Sequence, residues 1–260
     1  MKTLYKVLIS FGIGICFICV GISLGGLDDV YQISFVKNVR WHPHEIQDIS
    51  LEYDKSIRDL EINLHNAQVE FDTSHDINHI EIEAKQLYNG FEIYQKNQKL
   101  VIDQPHYWWF SDYEAAQIKI IIPEDFTFDL TTIEMIAGKV NMNNLHTNDL
   151  DITVAAGQLE LDGVNCYDFS LDSGLGQTLV YNLKGRGHID VDLGLGDVYM
   201  LLEGNESEYN YNVNVGLGNV RIGHEEFSGI ADRSSYNSRG RKTIDVDCGL
   251  GSVDIEMEEE

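Results

Sequence analysis

Apolar and polar residues alternate along most of the second half of the chain, and each alternating run is interrupted by a turn that closes on glycine. The closing glycines recur every 19 to 22 residues, with one longer interval of 33. They are Gly138, Gly157, Gly176, Gly196, Gly218 and Gly251. A nearly fixed period of about 20 residues is typical of stacked supersecondary units and predicts a repeat architecture.

The apolar residues occupy the same offsets in each repeat. They fall mostly at seven, five and three positions before the closing glycine, and at two and four positions after it. In the repeat of Gly157 these positions are Leu150, Ile152, Val154, Leu159 and Leu161. A strict period of two on both sides of the turn predicts two short strands, each with one buried face.

In four repeats the turn reads Gly-Leu-Gly, as in Gly194-Leu195-Gly196. Glycine reaches positive φ without a Cβ penalty, which a sharp corner between two strands requires. The predicted structural turn glycines are Gly138, Gly157, Gly174, Gly176, Gly194, Gly196, Gly216, Gly218, Gly249 and Gly251.

Such a unit cannot bury its apolar face alone, so we expect the units to stack about 4.8 Å apart with each strand paired to its copies. The predicted fold is all-β: a β-solenoid, similar to a single-stranded β-helix, of roughly 20-residue repeats. An antiparallel meander in a sandwich is the alternative, since glycine turns also form hairpins. A degenerate repeat around Ala67 lacks the glycine, and we expect it to be a terminal, capping unit.

The N-terminal residues form a separate module. Lys2 and Lys6 precede an uncharged apolar run from Val7 to Leu24, and Asp28 and Asp29 follow it. The run is just long enough to cross a bilayer as a helix, and the flanking charges predict a cytoplasmic N terminus with an extracytoplasmic C-terminal domain. A cleaved signal peptide is the alternative, but no Ala-x-Ala site follows the run.

The predicted domain organisation has four parts. Residues 1–27 are the transmembrane anchor, or an uncleaved signal, and residues 28–59 are a linker and N-terminal cap region. Residues 60–256 are the solenoid, with a polar insertion at 225–242 that we expect to loop out of one corner. Residues 257–260 are an acidic tail.

The chain is strongly acidic, with 43 Asp and Glu against 18 Lys and Arg and a formal net charge of −25. A field of this sign repels nucleic acid and anionic lipids, and it attracts cations and basic peptides. We therefore expect no nucleic-acid partner. The degenerate repeat and the acidic end look like caps against strand-edge association, which predicts a monomer.

Outward positions before the closing glycines carry a column of carboxylates. These include Asp172, Asp192 and Asp247, and neighbouring carboxylates could be bridged by a hard cation or serve a glycosidase. No calcium-binding repeat, zinc spacing or nucleophile motif accompanies them, so the pattern favours a solvated outer face. The sequence predicts no catalytic residue, no metal ligand and no cofactor.

Two further features are candidates for function or packing. Tyr107, Trp108, Trp109 and Phe110 form the most unusual run; they are candidate ligand contacts if exposed and a plug for the solenoid end if buried. Cys248 takes a core position and is predicted to be a buried free thiol, whereas Cys166 is placed in a turn. We expect no disulfide between them.

An N-terminal anchor, the run Ile118–Pro123 (IKIIIP) and repeated Gly-Leu-Gly-x-Val units together resemble the bacterial putative-adhesin domain of unknown function. The likeness covers approximately residues 50 to 256. It implies a non-enzymatic, membrane-anchored surface protein, adhesin-like or associated with envelope stress, in a Gram-positive bacterium. Its implied partner is a cell-envelope component or a membrane protein. Capture of cationic peptides and a carbohydrate-active enzyme are the alternatives.

Overall fold

Each regular repeat folds as one long strand that is nearly as long as the repeat itself. The computed structural model describes residues 47–87, 91–104, 115–228, 231–235 and 240–258. The strands are β1 (Gln47–Tyr53), β2 (Asp59–Ser74), β3 (Ile80–Leu87), β4 (Glu92–Lys96), β5 (Lys99–Asp103), β6 (Ala116–Pro123), β7 (Phe128–Asn143), β8 (Thr147–Asp162), β9 (Asn165–Cys166), β10 (Asp168–Gly185), β11 (His188–Glu203), β12 (Tyr209–Val215), β13 (Asn219–Ile222), β14 (Glu225–Ser228), β15 (Ala231–Ser235) and β16 (Lys242–Glu258). A 3₁₀ turn, Glu206–Glu208, precedes β12. The prediction of an all-β fold is confirmed.

Each long strand changes its buried face at the closing glycine. In β8 the buried side chains before the corner are Leu150, Ile152 and Val154, and those after it are Leu159 and Leu161. The residues between them are exposed or half-buried, so the chain turns a corner while its apolar side stays inward. The alternation shifts at the corner as predicted, but the prediction of two short strands in each repeat is wrong, because β8 runs unbroken through the corner from Thr147 to Asp162.

Successive long strands pair in parallel and in register from one repeat to the next. Gly138 lies opposite Gly157, Gly157 opposite Gly176, and Gly176 opposite Gly196. Equivalent apolar residues therefore form columns across the stack. In one column every residue is at most 1% exposed; its members include Ile133, Ile152, Leu171, Val191, Val246 and Val213. The stacking is solenoid-like, as the repeat period predicts.

We call the stretch of chain that one repeat contributes to the stack a coil. A further column of buried residues closes each coil on the side away from the corner. It consists of Leu145, Val164, Leu183 and Leu202, all completely buried. The short strand β9 pairs in parallel with Lys184 and Gly185 of β10, and His146 bridges to Asn165 in the same sense. These four residues recur every 19 residues along the chain, so the column follows the same period as the closing glycines.

The repeats at the C-terminal end do not stack in the order of the sequence. β16 pairs with β11 on one side and with β12 and β13 on the other. The last repeat in the chain therefore lies between the two repeats that precede it. The corner glycines follow the spatial order Gly196, Gly251, Gly218.

The prediction that the repeat around Ala67 is terminal is wrong. β2, which carries Ala67, pairs with β7 on one side and with β5 and β6 on the other, all in parallel. Ala67 is buried opposite Ala116, because a later part of the chain returns to form one more coil outside β2.

Antiparallel strands cover both ends of the stack. β4 pairs with β5, β3 with β6, and β1 with β3 at the N-terminal end. At the other end β14 pairs with β13, and β15 pairs with β12. The insertion at 225–242, expected to loop out of a corner, instead supplies β14 and β15 and the start of β16. These strands cover edges that would otherwise be open to association.

The strand β16 extends into the acidic tail predicted at 257–260. β16 continues to Glu258, and Glu256 accepts hydrogen bonds from the Tyr199 hydroxyl at 3.0 Å and from the Arg221 guanidinium at 3.0 Å. The predicted anchor at 1–27 lies outside the described residues. Within the described ranges, no helix has the length and apolar character to cross a membrane.

Candidate functional site

The closing glycines form a column in which backbone lies directly against backbone. Five of them have φ between +140° and +155°: Gly138, Gly157, Gly176, Gly196 and Gly251. A Cβ built on any of these would overlap the carbonyl oxygen of the corner residue in the adjacent coil. Glycine is thus required both for the backbone conformation and for the close approach of the coils.

The leucine between each pair of corner glycines points outward. Leu175, Leu195, Leu250 and Leu217 are 52%, 49%, 47% and 69% exposed. Leu175 lies opposite Leu195 and Leu195 opposite Leu250, while the Leu217 N–H donates to the Gly249 carbonyl oxygen at 2.8 Å. Four large apolar side chains therefore follow one another along a single edge, about 14 Å in length at the usual strand spacing. We call these four residues the leucine ridge.

Carboxylates line the outer face of the strand that leads into each ridge corner. Asp172 lies opposite Asp192 and Asp192 opposite Asp247; Asp190 lies opposite Asp245 two residues earlier. We call these five residues the carboxylate ladder. They form one connected acidic surface because the parallel register places each carboxylate beside its equivalent in the next coil.

Asparagines terminate the ladder where it reaches β12. The Asn214 side-chain amide donates to Asp247 Oδ1 at 2.5 Å, and that of Asn212 donates to Asp245 Oδ1 at 2.6 Å. His188 Nε2 lies 3.6 Å from the other oxygen of Asp245. The ladder is therefore partly satisfied at this end, where neutral donors replace further carboxylates.

The central carboxylate of the ladder has the most perturbed acidity. Desolvation by the flanking strands, followed by the charges of Asp190, Asp247 and Asp172, raises the pKa of Asp192 to about 6. Desolvation also raises the pKa of Asp190. It likewise raises the pKa of Asp151 on β8, the strand next to β10. Neutral pH lies above the pKa of Asp192, so this residue carries its negative charge there despite desolvation and the repulsion of its neighbours.

Asp192→Asn is expected to raise the free energy of unfolding at pH 7.5, by less than about 1 kcal/mol because the side chain is exposed and screened by water. The folded-state pKa of Asp192 lies above the ordinary value of 3.8, so the folded protein binds this proton more tightly than the unfolded chain does. The destabilisation is full above pH 6 and fades as the pH falls through 6 towards 3.8.

Urea unfolding at pH 7.5 and at pH 4.5 measures this effect. The difference between Asp192→Asn and the unsubstituted chain should shrink at the lower pH. Asp76→Asn is the control, because it removes the same charge from an exposed bend outside the ladder. An equal gain from Asp76→Asn would assign the effect to net charge alone.

The other candidates from the sequence are the aromatic run at 107–110 and the two cysteines Cys166 and Cys248. Tyr107, Trp108, Trp109 and Phe110 lie outside the described residues. Cys248 is a buried free thiol, as predicted. Cys166, predicted to be in a turn, instead belongs to β9; it is completely buried, and desolvation raises its pKa to about 12. In the ranges that the structure describes, no cluster of three or more His, Cys, Asp or Glu is arranged to hold a metal ion.

A shallow basic depression lies at the opposite side of the coils from the ridge corners. Lys184, Arg186 and Lys242 line it together with Glu203 and Glu208. Lys184 Nζ pairs with Glu203 at 3.1 Å and Lys242 Nζ with Glu208 at 2.9 Å. Because its lysines are already paired with carboxylates, this depression is a weaker candidate than the leucine ridge and the carboxylate ladder.

Three solved structures are similar to this chain. A putative cell adhesion protein from Clostridium sporogenes is 12% identical, with a TM-score of 0.46, covering 82% of this chain and 100% of that one. Putative adhesins from Bacteroides fragilis and Parabacteroides distasonis are 12% and 13% identical, with TM-scores of 0.32 and 0.35. They cover 80% and 83% of this chain, and 97% and 98% of their own. No curated protein matches the chain.

The family comparison rests on sequence. Residues 57–184 match the profile of the Toastrack DUF4097 family. The matched segment begins two residues before β2 and stops one residue before the end of β10. It includes the IKIIIP run that ends β6. The predicted resemblance to the putative-adhesin domain of unknown function is thus confirmed by the match of residues 57–184 to the Toastrack DUF4097 family.

Proposed function

We propose that this chain is a non-enzymatic, membrane-anchored binding or scaffold protein whose stacked β-domain faces outward from the cell. The observation that carries the proposal is the continuous outer edge made by the leucine ridge and the carboxylate ladder. Its recognition groups lie side by side on successive coils of a rigid stack. Such a surface is suited to hold a macromolecule, since contiguous exposed apolar side chains mark interaction sites.

The N-terminal module supports the placement at the membrane. The apolar run Val7–Leu24 has the length of a transmembrane helix, and Lys2 and Lys6 on its N-terminal side favour a cytoplasmic N terminus. The domain that follows is then extracytoplasmic. Its strong negative charge separates it from anionic lipid and wall polymers, so binding to the envelope must rely on specific contacts or on basic partners.

Capture of cationic peptides is the second candidate, and the carboxylate ladder favours it. Asp172, Asp192 and Asp247 present adjacent negative charges with little local neutralisation, apart from the asparagine donors at the β12 end. Binding of this kind weakens steeply with salt, because exposed charges are screened within about 10 Å at ordinary ionic strength. Salt dependence therefore separates the two candidates.

Co-sedimentation of the full-length protein with purified Gram-positive cell envelopes tests the proposal. The protein is held in nanodiscs of neutral lipid, so that the apolar run does not itself partition into envelope membrane. We expect saturable binding that survives about 0.5 M salt, where the Debye length is only a few ångströms. Empty nanodiscs are the control. Binding that vanishes with salt would favour peptide capture, and the absence of saturable binding would contradict both candidates.

A further inference from the structure

We infer that the leucine ridge and the carboxylate ladder together form a docking surface for a basic amphipathic helix, one with an apolar stripe bordered by Lys or Arg. The inference deepens the proposed binding function and rests on it. It specifies both the face that binds and the chemistry of the partner.

The apolar part of the surface is confined and continuous. The corner position that holds leucine in β10, β11 and β16 holds alanine in β7 and β8, Ala137 and Ala156, which lie next along the same edge. The ridge therefore begins at Leu175 and continues to Leu217 at the end of the stack. Its length of about 14 Å corresponds to between two and three turns of an α-helix, which rises 5.4 Å per turn.

The charges on either side of the ridge specify the sign of the partner. The ladder residues Asp172, Asp192 and Asp247 lie on the strand face before the corner. On the other side Asp197 follows the Gly196 corner, exposed, and accepts a hydrogen bond from the Ser252 hydroxyl at 2.5 Å. An apolar stripe with a row of acids on one side and one acid, Asp197, on the other is complementary to a stripe of leucines flanked by bases.

The same arrangement disfavours the other occupants of an apolar ridge. A second copy of the chain would bring one acidic ladder against another, between molecules of formal charge −25 each. An anionic lipid surface would meet the same repulsion. A basic helix instead relieves the repulsion among the carboxylates, which together with the larger effect of desolvation raises the pKa of Asp192.

Fluorescence anisotropy with a synthetic peptide tests the inference. The probe is a labelled helix of about 18 residues, or five turns, with leucines on one face and lysines on both flanks. The full-length protein in neutral nanodiscs is titrated into it. We expect Leu175→Ser/Leu195→Ser/Leu250→Ser to weaken binding at least about tenfold, or about 1.4 kcal/mol. Asp172→Asn/Asp192→Asn/Asp247→Asn should weaken it comparably at low salt and much less at about 0.5 M salt.

Three controls make the result specific. Tyr167→Ser removes an apolar side chain that is 54% exposed at a different turn and should leave binding unchanged. A peptide of the same composition in scrambled order should bind at least about tenfold more weakly than the probe. The single change Leu195→Glu repeats the test with one substitution, should the triple variant lose its urea unfolding transition.

Undiminished binding by the leucine variants, or equal binding of the scrambled peptide, would overturn the inference. So would sedimentation showing that the protein self-associates through the ridge and ignores the peptide. If the leucine variants bind cell envelopes as well as the unsubstituted protein does, the proposed function is supported and the docking surface is rejected. If the envelope assay fails altogether, the proposed function falls.

Discussion

Replacing Gly176 with alanine is expected to lower the free energy of unfolding by about 3 kcal/mol or more. Gly176 has φ of +146°, and a Cβ there would overlap the carbonyl oxygen of Gly157 in the adjacent coil. The obstacle is backbone of a paired strand and cannot rotate away as a side chain can. The substitution therefore forces the two coils apart at a corner where both are fully paired on either side.

Urea unfolding followed by circular dichroism measures this loss, and Gly185→Ala is the matched control. Gly185 belongs to the same strand and is buried, whereas Gly176 is half-buried, but the φ of Gly185 lies outside the range that favours glycine. A Cβ there would meet only the end of the Ile189 side chain, at 3.0 Å. We expect Gly185→Ala to cost less than half as much. Equal losses at the two positions would contradict the account of the glycine column.

Ending the chain at Arg241 is expected to detach the coil formed by β12 and β13 from the rest of the stack. β16 is the partner that joins these strands to β11; their other neighbours, β14 and β15, belong to the same C-terminal cap. The truncation also removes the buried side chains of Ile244, Val246, Val253 and Ile255. It leaves the edge of β11 unpaired, which favours aggregation.

Hydrogen exchange read by mass spectrometry measures the effect region by region. Protection across residues 209–222 should fall to the level of an unfolded chain, whereas β7 and β8 should retain theirs, because their neighbours on both sides are unchanged. A chain ending at Glu258 keeps all of β16 and serves as the control. Persistent protection of 209–222 would mean that β12 can close directly onto β11.

The buried faces and the stacking of the repeats were predictable from the offsets of apolar residues around each glycine, although each repeat forms one long strand rather than two short ones. The order of the coils was not, since every coil offers the same apolar pattern to its neighbours. Polar side chains carry that information instead. Asn212 and Asn214 bond to Asp245 and Asp247, and Arg221 bonds to Asp254. These pairings are recognisable only once the coils are known to be adjacent.

The candidate surface was only half predictable. The aspartate columns are visible in the sequence and were interpreted as a solvated face, but the leucines between the corner glycines were not recognised as exposed. A leucine inside an apolar repeat is ordinarily buried. Here the glycines on either side place Leu195 at the outer point of the corner, where the interior positions are already taken by Leu193 and Val198.

Cysteine cross-linking tests whether the corners form one column in the order Leu175, Leu195, Leu250, Leu217. Neighbouring coils lie about 4.8 Å apart, within the Cα range of a disulfide, whereas coils two steps apart lie about 9.6 Å apart and outside it. Cys166 and Cys248 are buried, so only Cys16 and Cys19 need replacement by serine.

Under mild oxidation, we expect Leu195→Cys to form a disulfide with Leu250→Cys, and Leu250→Cys to form one with Leu217→Cys. The pair Leu195→Cys and Leu217→Cys should stay reduced. A disulfide in that last pair, with none between positions 195 and 250, would show that the coils stack in sequence order and would contradict the account.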